Sequence, residues 1–334
     1  MKIVVTGGAG FIGANLCATL CEQKLGHVVA VDDLSSGRRD NLSIAPEATL
    51  IEASILDRDA LNDAFSGAST VIHLAARPSV PRSLADPVAT HTVNATGTIN
   101  VLEAARTAAV PHVIVASSSS VYGGNPALPK SEKLAVAPLS PYAASKLATE
   151  AYALAYAASF GIAVLAFRFF NVFGPLQAAD HAYAAVVPCF IARALGGLPL
   201  IVHGDGNQTR DFTYVGSVVE VLGDAAARCV FAPDPVNLAF GTRLSLLEMI
   251  AELEEVMGRP LQVQHDAPRA GDVAHSQADS RRLRELFPSA EPVPFRKGLE
   301  LTVEWNRMKA SAGERASEAI GGEIGTEKMD TRKL

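Results

Sequence analysis

The chain has 334 residues, 49% of them hydrophobic and 19% charged, which suits one large α/β unit or two joined domains around a sizeable core and excludes a disordered or fibrous chain. A formal net charge of -6 gives no general attraction to nucleic acid or anionic lipid, so phosphate recognition has to be local and the expected partner is a small molecule. Cys17, Cys21, Cys189 and Cys229 form no CxxC pair, the histidines show neither HxH nor HExxH spacing, and no apolar run reaches the roughly 18 residues of a membrane helix. The expectation is free thiols, no metal, no membrane span and, with residue 1 leading straight into a strand pattern and no charged leader, a cytoplasmic enzyme.

Apolar runs recur at Lys2 to Thr6, Val28 to Val31, Val71 to Leu74, Val113 to Ser117 and Ala163 to Phe167. They are mostly continuous rather than alternating, the pattern of strands covered on both faces. Ala- and Leu-rich stretches from Gly13 to Glu22, Ala95 to Ala109 and Ala143 to Ser159 are long enough for crossover helices. The alternation predicts an α/β fold with a doubly wound parallel sheet over residues 1–170. After Asn171 prolines divide shorter elements, predicting a smaller mixed α/β lobe over 171–309, with some later segments packing back onto the first domain. Residues 310–334 are polar and highly charged and read as a weakly ordered tail.

The first strand runs into Gly7, Gly10 and Gly13 and then a helix, which places backbone amides and the positive helix end where a pyrophosphate can sit. Asp32, 19 positions beyond Gly13, closes the second strand, where a carboxylate accepts hydrogen bonds from adenosine ribose hydroxyls and repels a 2′-phosphate. NAD is therefore favoured over NADP, although Arg38 and Arg39 are residues that a 2′-phosphate would attract.

Tyr142 and Lys146 stand four apart at a predicted helix start, so both point from one face and the cation lies beside the phenol. Phenols ionise near 10, and bringing one to neutrality takes roughly 4 kcal/mol of preferential phenolate stabilisation, which Lys146 and a positively charged nicotinamide can supply. The serine run Ser117 to Ser120 ends a predicted strand at the edge where ligands bind such sheets.

Over about residues 1 to 305 the segments TGGAGFIG, VDDL, HLAA, SSSSVYG, SPYAASK, RFFNVFGP, GDGNQTRDFTYV and RAGDVAHS together resemble the extended short-chain dehydrogenase/reductase family, in particular its nucleotide-sugar epimerases and dehydratases. The resemblance implies a Rossmann sheet, NAD as cofactor, a UDP-sugar as substrate, and catalysis by Tyr142 as base, Lys146 as its electrostatic partner and Ser118 as proton-sharing hydroxyl. It implies cofactor contacts from Gly7, Gly10, Phe11, Ile12, Gly13, Asp32, Asp33, Ser36, Gly37, Ile55, Leu74, Ala75, Ala76, Asn94, Tyr142, Lys146 and Phe169. Substrate contacts are implied from Ser79, Arg82, Ser118, Ser119, Ser120, Tyr142, Asn171, Gln177, Val187, Val202, Arg210, Arg269, Asp272 and Ser276, with Arg210 and Arg269 on the diphosphate.

Ser119 and Ser120 occupy places where dehydrating or decarboxylating relatives carry acidic residues, which leaves reversible oxidation at C4 and hence a UDP-hexose 4-epimerase. The small Ser276, Gln177 and the run from Ala182 to Ala185 resemble the subgroup handling N-acetylhexosamines, whereas Ser118 to Ser120 with Arg82 also suit a C6 carboxylate. The expected order puts an N-acetylated or neutral hexose ahead of a uronic acid. The rivals are a dehydratase or reductase of the same nucleotide sugars and a catalytically silent NAD-binding regulatory protein. The resemblance also implies a homodimer through helices near Asp86 to Ala109 and Pro141 to Ser159.

Overall fold

The computed structural model describes residues 1–179, 184–268 and 274–323, with side chains described up to residue 311. The first part alternates strands and helices: β1 (Lys2–Thr6), α1 (Phe11–Glu22), β2 (His27–Asp32), β3 (Thr49–Glu52), α2 (Arg58–Phe65), β4 (Thr70–His73), α3 (Val80–Ala85), α4 (Pro87–His91), α5 (Gly97–Thr107), β5 (His112–Ser118), α6 (Pro141–Phe160) and β6 (Ala163–Phe169). A π-helical turn, Thr92–Thr96, joins α4 to α5. There follow β7 (Asn171–Phe173), α7 (Val186–Leu195), β8 (Leu200–His203), β9 (Thr209–Arg210), β10 (Phe212–Tyr214), α8 (Val215–Arg228), β11 (Val236–Leu238), β12 (Leu244–Ser245), α9 (Leu246–Met257), β13 (Val263–Asp266), α10 (Arg281–Leu286) and α11 (Phe295–Glu323).

Seven strands form one sheet in the order β11-β6-β5-β4-β1-β2-β3, every pair parallel. The continuous apolar runs resolve into a period of two. Ile3, Val5, Val28, Ala30, Ile72, Ile114 and Leu165 face a core shared with Leu16 of α1 and Leu222 of α8. Val4, Val29, Val71, Val113 and Val164 face a second core with Leu61 of α2, Leu102 of α5 and Ala153 of α6. Each fully buried aliphatic side chain contributes about 1.5–3 kcal/mol, so both faces have to be apolar and neither shows a polar alternate.

The expected return of later segments is specific: α8 packs on α1, and β11 joins the sheet beside β6. The remaining elements close over their own core of Phe173, Phe190, Leu200, Val202, Phe212, Met249, Leu253, Leu299 and Val303. The boundary expected at residue 310 falls inside α11, which runs to Glu323. Leu299 and Val303 anchor that helix in the second core, and the Ala- and Glu-rich continuation keeps helical backbone despite its glycines. Among the described residues no helix is long and apolar enough to cross a membrane.

Candidate active site

The turn after β1 depends on missing side chains. Gly7 has φ +72, and a Cβ there would meet the Ala75 amide nitrogen at 2.7 Å, while a Cβ on Gly13 would run into the Gly7 carbonyl oxygen. Backbone can therefore approach backbone, and α1 begins at Phe11 with its N-cap Gly10 offering no side-chain acceptor to the first amides. This is a cradle for a dinucleotide pyrophosphate. Asp32 ends β2 almost fully buried, its Oδ2 accepting from the Ala9 amide at 3.0 Å and its Oδ1 from the Leu34 amide at 2.9 Å. Burial pushes its carboxyl up and these backbone donors oppose the rise. Arg39 pairs with Glu52 at 2.5 Å on the surface.

A cavity of about 350 Å³ runs from this turn to the end of β5. It brings together Gly7, Gly10, Phe11, Ile12, Gly13, Asp32, Asp33, Ser36, Ile55, Leu74, Ala75, Ala76, Ser118, Tyr142, Lys146 and Phe169. Two residues expected here do not line it. Gly37 instead stands against the Asp32 carboxylate, where a Cβ would meet Oδ1 at 2.8 Å. Asn94 is buried in the π-helical turn; its Oδ1 accepts from the Arg77 amide at 2.6 Å and its Nδ2 donates to Ser145 Oγ at 2.9 Å, so it braces the approach to α6. Ser35, Pro78 and Val93 line the cavity without having been singled out by any motif.

α6 starts with Ser140, whose hydroxyl accepts from the Ala143 amide at 3.1 Å, and Pro141, which suits a first helical turn. That start sets Tyr142 toward β5, where burial raises its phenol and a hydrogen bond with Ser118 opposes the rise. One turn on, Lys146 is buried, donates from Nζ to the Ala116 carbonyl at 2.8 Å, and has its ammonium lowered to about 8 by burial. His73 is held neutral, its pKa brought down to about 3 by burial and then by Lys146, with Thr6 Oγ1 at 2.8 Å and Thr98 Oγ1 at 3.0 Å on its two ring nitrogens.

Behind these groups lies a network that no motif announces. Ser117 Oγ donates to Glu150 Oε2 at 2.9 Å, and Arg168 forks the same carboxylate with Nε at 2.9 Å and Nη2 at 2.6 Å. Arg168 also lies 4.8 Å over the Tyr122 ring, whose hydroxyl donates to Asn237 Oδ1 at 2.7 Å. Their sequence separations hide the contacts; the only signal is a pair of charged residues in otherwise apolar stretches.

A second cavity, about 710 Å³, opens between the sheet and the smaller lobe and is lined by the expected Ser79, Tyr142, Asn171, Gln177, Val187 and Arg210. Phe170, Phe190, Arg193, His203, Gln208 and Phe212 line it as well. It shares Tyr142, Phe170, Val172 and Gln177 with the first. Ser79, at its edge, has φ +97, an uncommon backbone state for a side-chain-bearing residue.

Five expected substrate residues line neither cavity. Arg82 stands on α3, Val202 is wholly buried in the core of the smaller lobe, and Ser276 is tied through its amide to the Thr209 carbonyl at 3.0 Å. Ser119 and Ser120 form a short 3₁₀ turn behind Ser118. Arg269, Asp272 and the stretch from Ala182 to Tyr183 lie outside the described residues. Among the described residues no cluster of three His, Cys, Asp or Glu is arranged to hold a metal.

Comparison with known proteins agrees with this geometry. The chain is 38% identical over 315 residues to UDP-glucose 4-epimerase of Mycolicibacterium smegmatis, covering 93% of this chain and 100% of that protein. The fold superposes with a TM-score of 0.87 on UDP-N-acetylglucosamine 4-epimerase from Methanobrevibacter ruminantium in complex with UDP-N-acetylmuramic acid, at 34% identity, covering 92% of this chain and 98% of that one. A variant of UDP-glucuronic acid 4-epimerase from Bacillus cereus, in complex with UDP-4-deoxy-4-fluoro-glucuronic acid and NAD, superposes with a TM-score of 0.84 at 31% identity, covering 92% and 99%. Residues 3–239 match the NAD dependent epimerase/dehydratase family, and with the cradle, Asp32 and the Tyr142 and Lys146 pair in place, the chain belongs to that family.

Proposed function

We propose that this protein interconverts the C4 epimers of a UDP-hexose, with UDP-N-acetylglucosamine or UDP-glucose preferred over UDP-glucuronate. The observation carrying this reading is the junction of the two cavities at Tyr142, whose phenol stands beside Ser118 and one helical turn from Lys146. The first cavity fits NAD, since its glycine cradle leaves no room for a Cβ and Asp32 is placed for a ribose. NAD held there by the glycine cradle and Asp32 would supply a reversible hydride exchange with C4. Tyr142 takes the C4 hydroxyl proton and gives it back after the 4-keto sugar has turned, Ser118 shares that proton, and the Lys146 cation favours the phenolate. Arg210 and Asn171 are placed for the diphosphate.

Epimerisation is favoured over dehydration by the residues around Tyr142. Among the described residues lining the two cavities, the only carboxylates are Asp32 and Asp33, at the adenosine end, so no acid is present to manage protons at C5 or C6. The sugar preference rests on charge. Among the described residues common to both cavities, Tyr142, Phe170, Val172 and Gln177, none is a cation that could pair with a C6 carboxylate beside Tyr142. Gln177 Nε2 donates to the Val172 carbonyl at 3.1 Å, fixing the amide's orientation, and Oε1 is buried without a donor in the wall common to both cavities.

The test is incubation of the purified protein, without added NAD, with each of the three nucleotide sugars, and proton NMR of the C4 configuration. UDP-N-acetylglucosamine or UDP-glucose is expected to settle to a mixture of epimers, with UDP-glucuronate slower by at least about tenfold, the cost of one unpaired buried polar contact. Faster turnover of UDP-glucuronate overturns the sugar preference, and a released keto or decarboxylated product overturns the reaction. We also propose a homodimer through the face of α3, α4 and α6, where Leu84, Val88 and Tyr152 are exposed apolar side chains. Light scattering is expected to give twice the 35.0 kDa chain mass, and a value near 35.0 kDa at micromolar concentration would exclude it.

A further inference from the structure

Ser118 and Tyr142 line the same cavity, and the Ser118 hydroxyl has its acceptor capacity filled from one direction. Ser118 caps the 3₁₀ turn Ser119–Tyr122, and its Oγ accepts from the Ser120 amide at 3.1 Å and from the Ser120 hydroxyl at 2.9 Å. A serine oxygen has two lone pairs and one hydrogen. With both lone pairs occupied by Ser120, the Ser118 hydrogen is left to point into the cavity that Tyr142 also lines. Ser120 lines neither cavity and reaches the site only through Ser118.

We propose that Ser120 is a positioning residue for proton transfer: it locks the Ser118 hydroxyl as a donor to Tyr142, so that Ser118 stabilises the phenolate instead of accepting from the phenol. A hydroxyl that receives a hydrogen bond is also the stronger donor, so the chain from Ser120 through Ser118 to Tyr142 is mutually reinforcing. The proposal rests on Tyr142 acting as the base, and it moves Ser120 from the substrate contacts expected from sequence to a place behind them. The ionisable groups packed around the pair are Lys146 on α6, His73 on β4 beside Lys146, and the Glu150 and Arg168 pair beyond Ser117. None of them touches Ser120 by a hydrogen bond or ion pair in the described structure, so a substitution there reads Ser118 and Tyr142 alone.

The test is an ultraviolet titration of the phenolate in NAD-loaded protein, taken as the difference from Tyr142→Phe. Ser120→Ala is expected to move the Tyr142 titration upward by about half a pH unit, the order of one lost neutral hydrogen bond, and Ser120→Thr to restore it. The acidic limb of kcat/KM moves to higher pH by the same amount, because the rate rises as Tyr142 ionises. In a Ser118→Ala background Ser120→Ala is expected to have no effect. No shift on Ser120→Ala, or an equal shift in the Ser118→Ala background, overturns the proposal. The titration needs no turnover, so a shift seen without epimerisation of any sugar overturns the reaction and leaves the positioning role standing.

Discussion

Replacement of Tyr142 by Phe is expected to slow C4 epimerisation by about 10²–10⁴-fold, the range over which a positioned acid–base group contributes. The phenyl ring keeps the packing at the start of α6, and Ser118, Lys146 and the glycine cradle are untouched, so NAD affinity measured by calorimetry should change by less than about threefold. What is lost is the one group at the junction able to take a proton from the sugar and give it back. The parent enzyme is expected to lose activity at high pH as Lys146, whose ammonium burial has lowered to about 8, gives up its proton. The sign follows from the cation: above that pH the phenolate has no positive neighbour on its own helix. NMR rates across pH for the parent and variant check both statements, and a variant retaining more than about a tenth of the activity would remove Tyr142 from the mechanism.

The second large effect is on stability. Arg168→Met leaves the Glu150 carboxylate buried with Ser117 as its only side-chain partner, since Arg168 supplies both forked bonds and the two side chains are 4% and 6% exposed. Breaking a buried pair in this way costs about 3–5 kcal/mol, which for a chain of this size lowers Tm by about 4–7 °C. Removing both charges, Glu150→Leu with Arg168→Met, is expected to recover most of that loss, because the penalty comes from the orphaned charge rather than from any strength of the pair. Thermal unfolding followed by circular dichroism separates the cases. A fall under about 2 °C for the single variant would mean that Glu150 reaches water or takes up a proton, and that the pair carries little of the fold.

The parts legible in the sequence are those whose chemistry is local. A glycine loop works because three missing side chains lie within seven residues, and Tyr142 and Lys146 meet because a helix brings positions four apart together. The strands were readable for the same reason, each being a short apolar run between helix-forming stretches. What the sequence hid was assembled across the fold. Asn94 looks like a cofactor ligand in its motif, yet the π-helical turn spends both ends of its amide on Arg77 and Ser145. Arg82 follows Ser79 by one helical turn on α3, yet only Ser79 is among the residues lining the cavity. Glu150 and Arg168 meet only because β6 lies alongside β5 under α6, and composition reads them as two ordinary charges. Around residue 310 composition changes while the helix continues, because helix propensity outlasts the core that anchors it.

The position of β11 has a consequence for dissecting this molecule. A piece ending at residue 170 would carry the glycine loop, the tyrosine and the lysine, yet it would bare the outer row of amides and carbonyls on β6 and strip α8 from the apolar face of α1. An unpaired, apolar strand edge of that kind templates association with other chains. The parallel sheet is thus completed by residues that the ribosome adds only after the first elements of the smaller lobe, and the two parts of the chain are obliged to fold as partners.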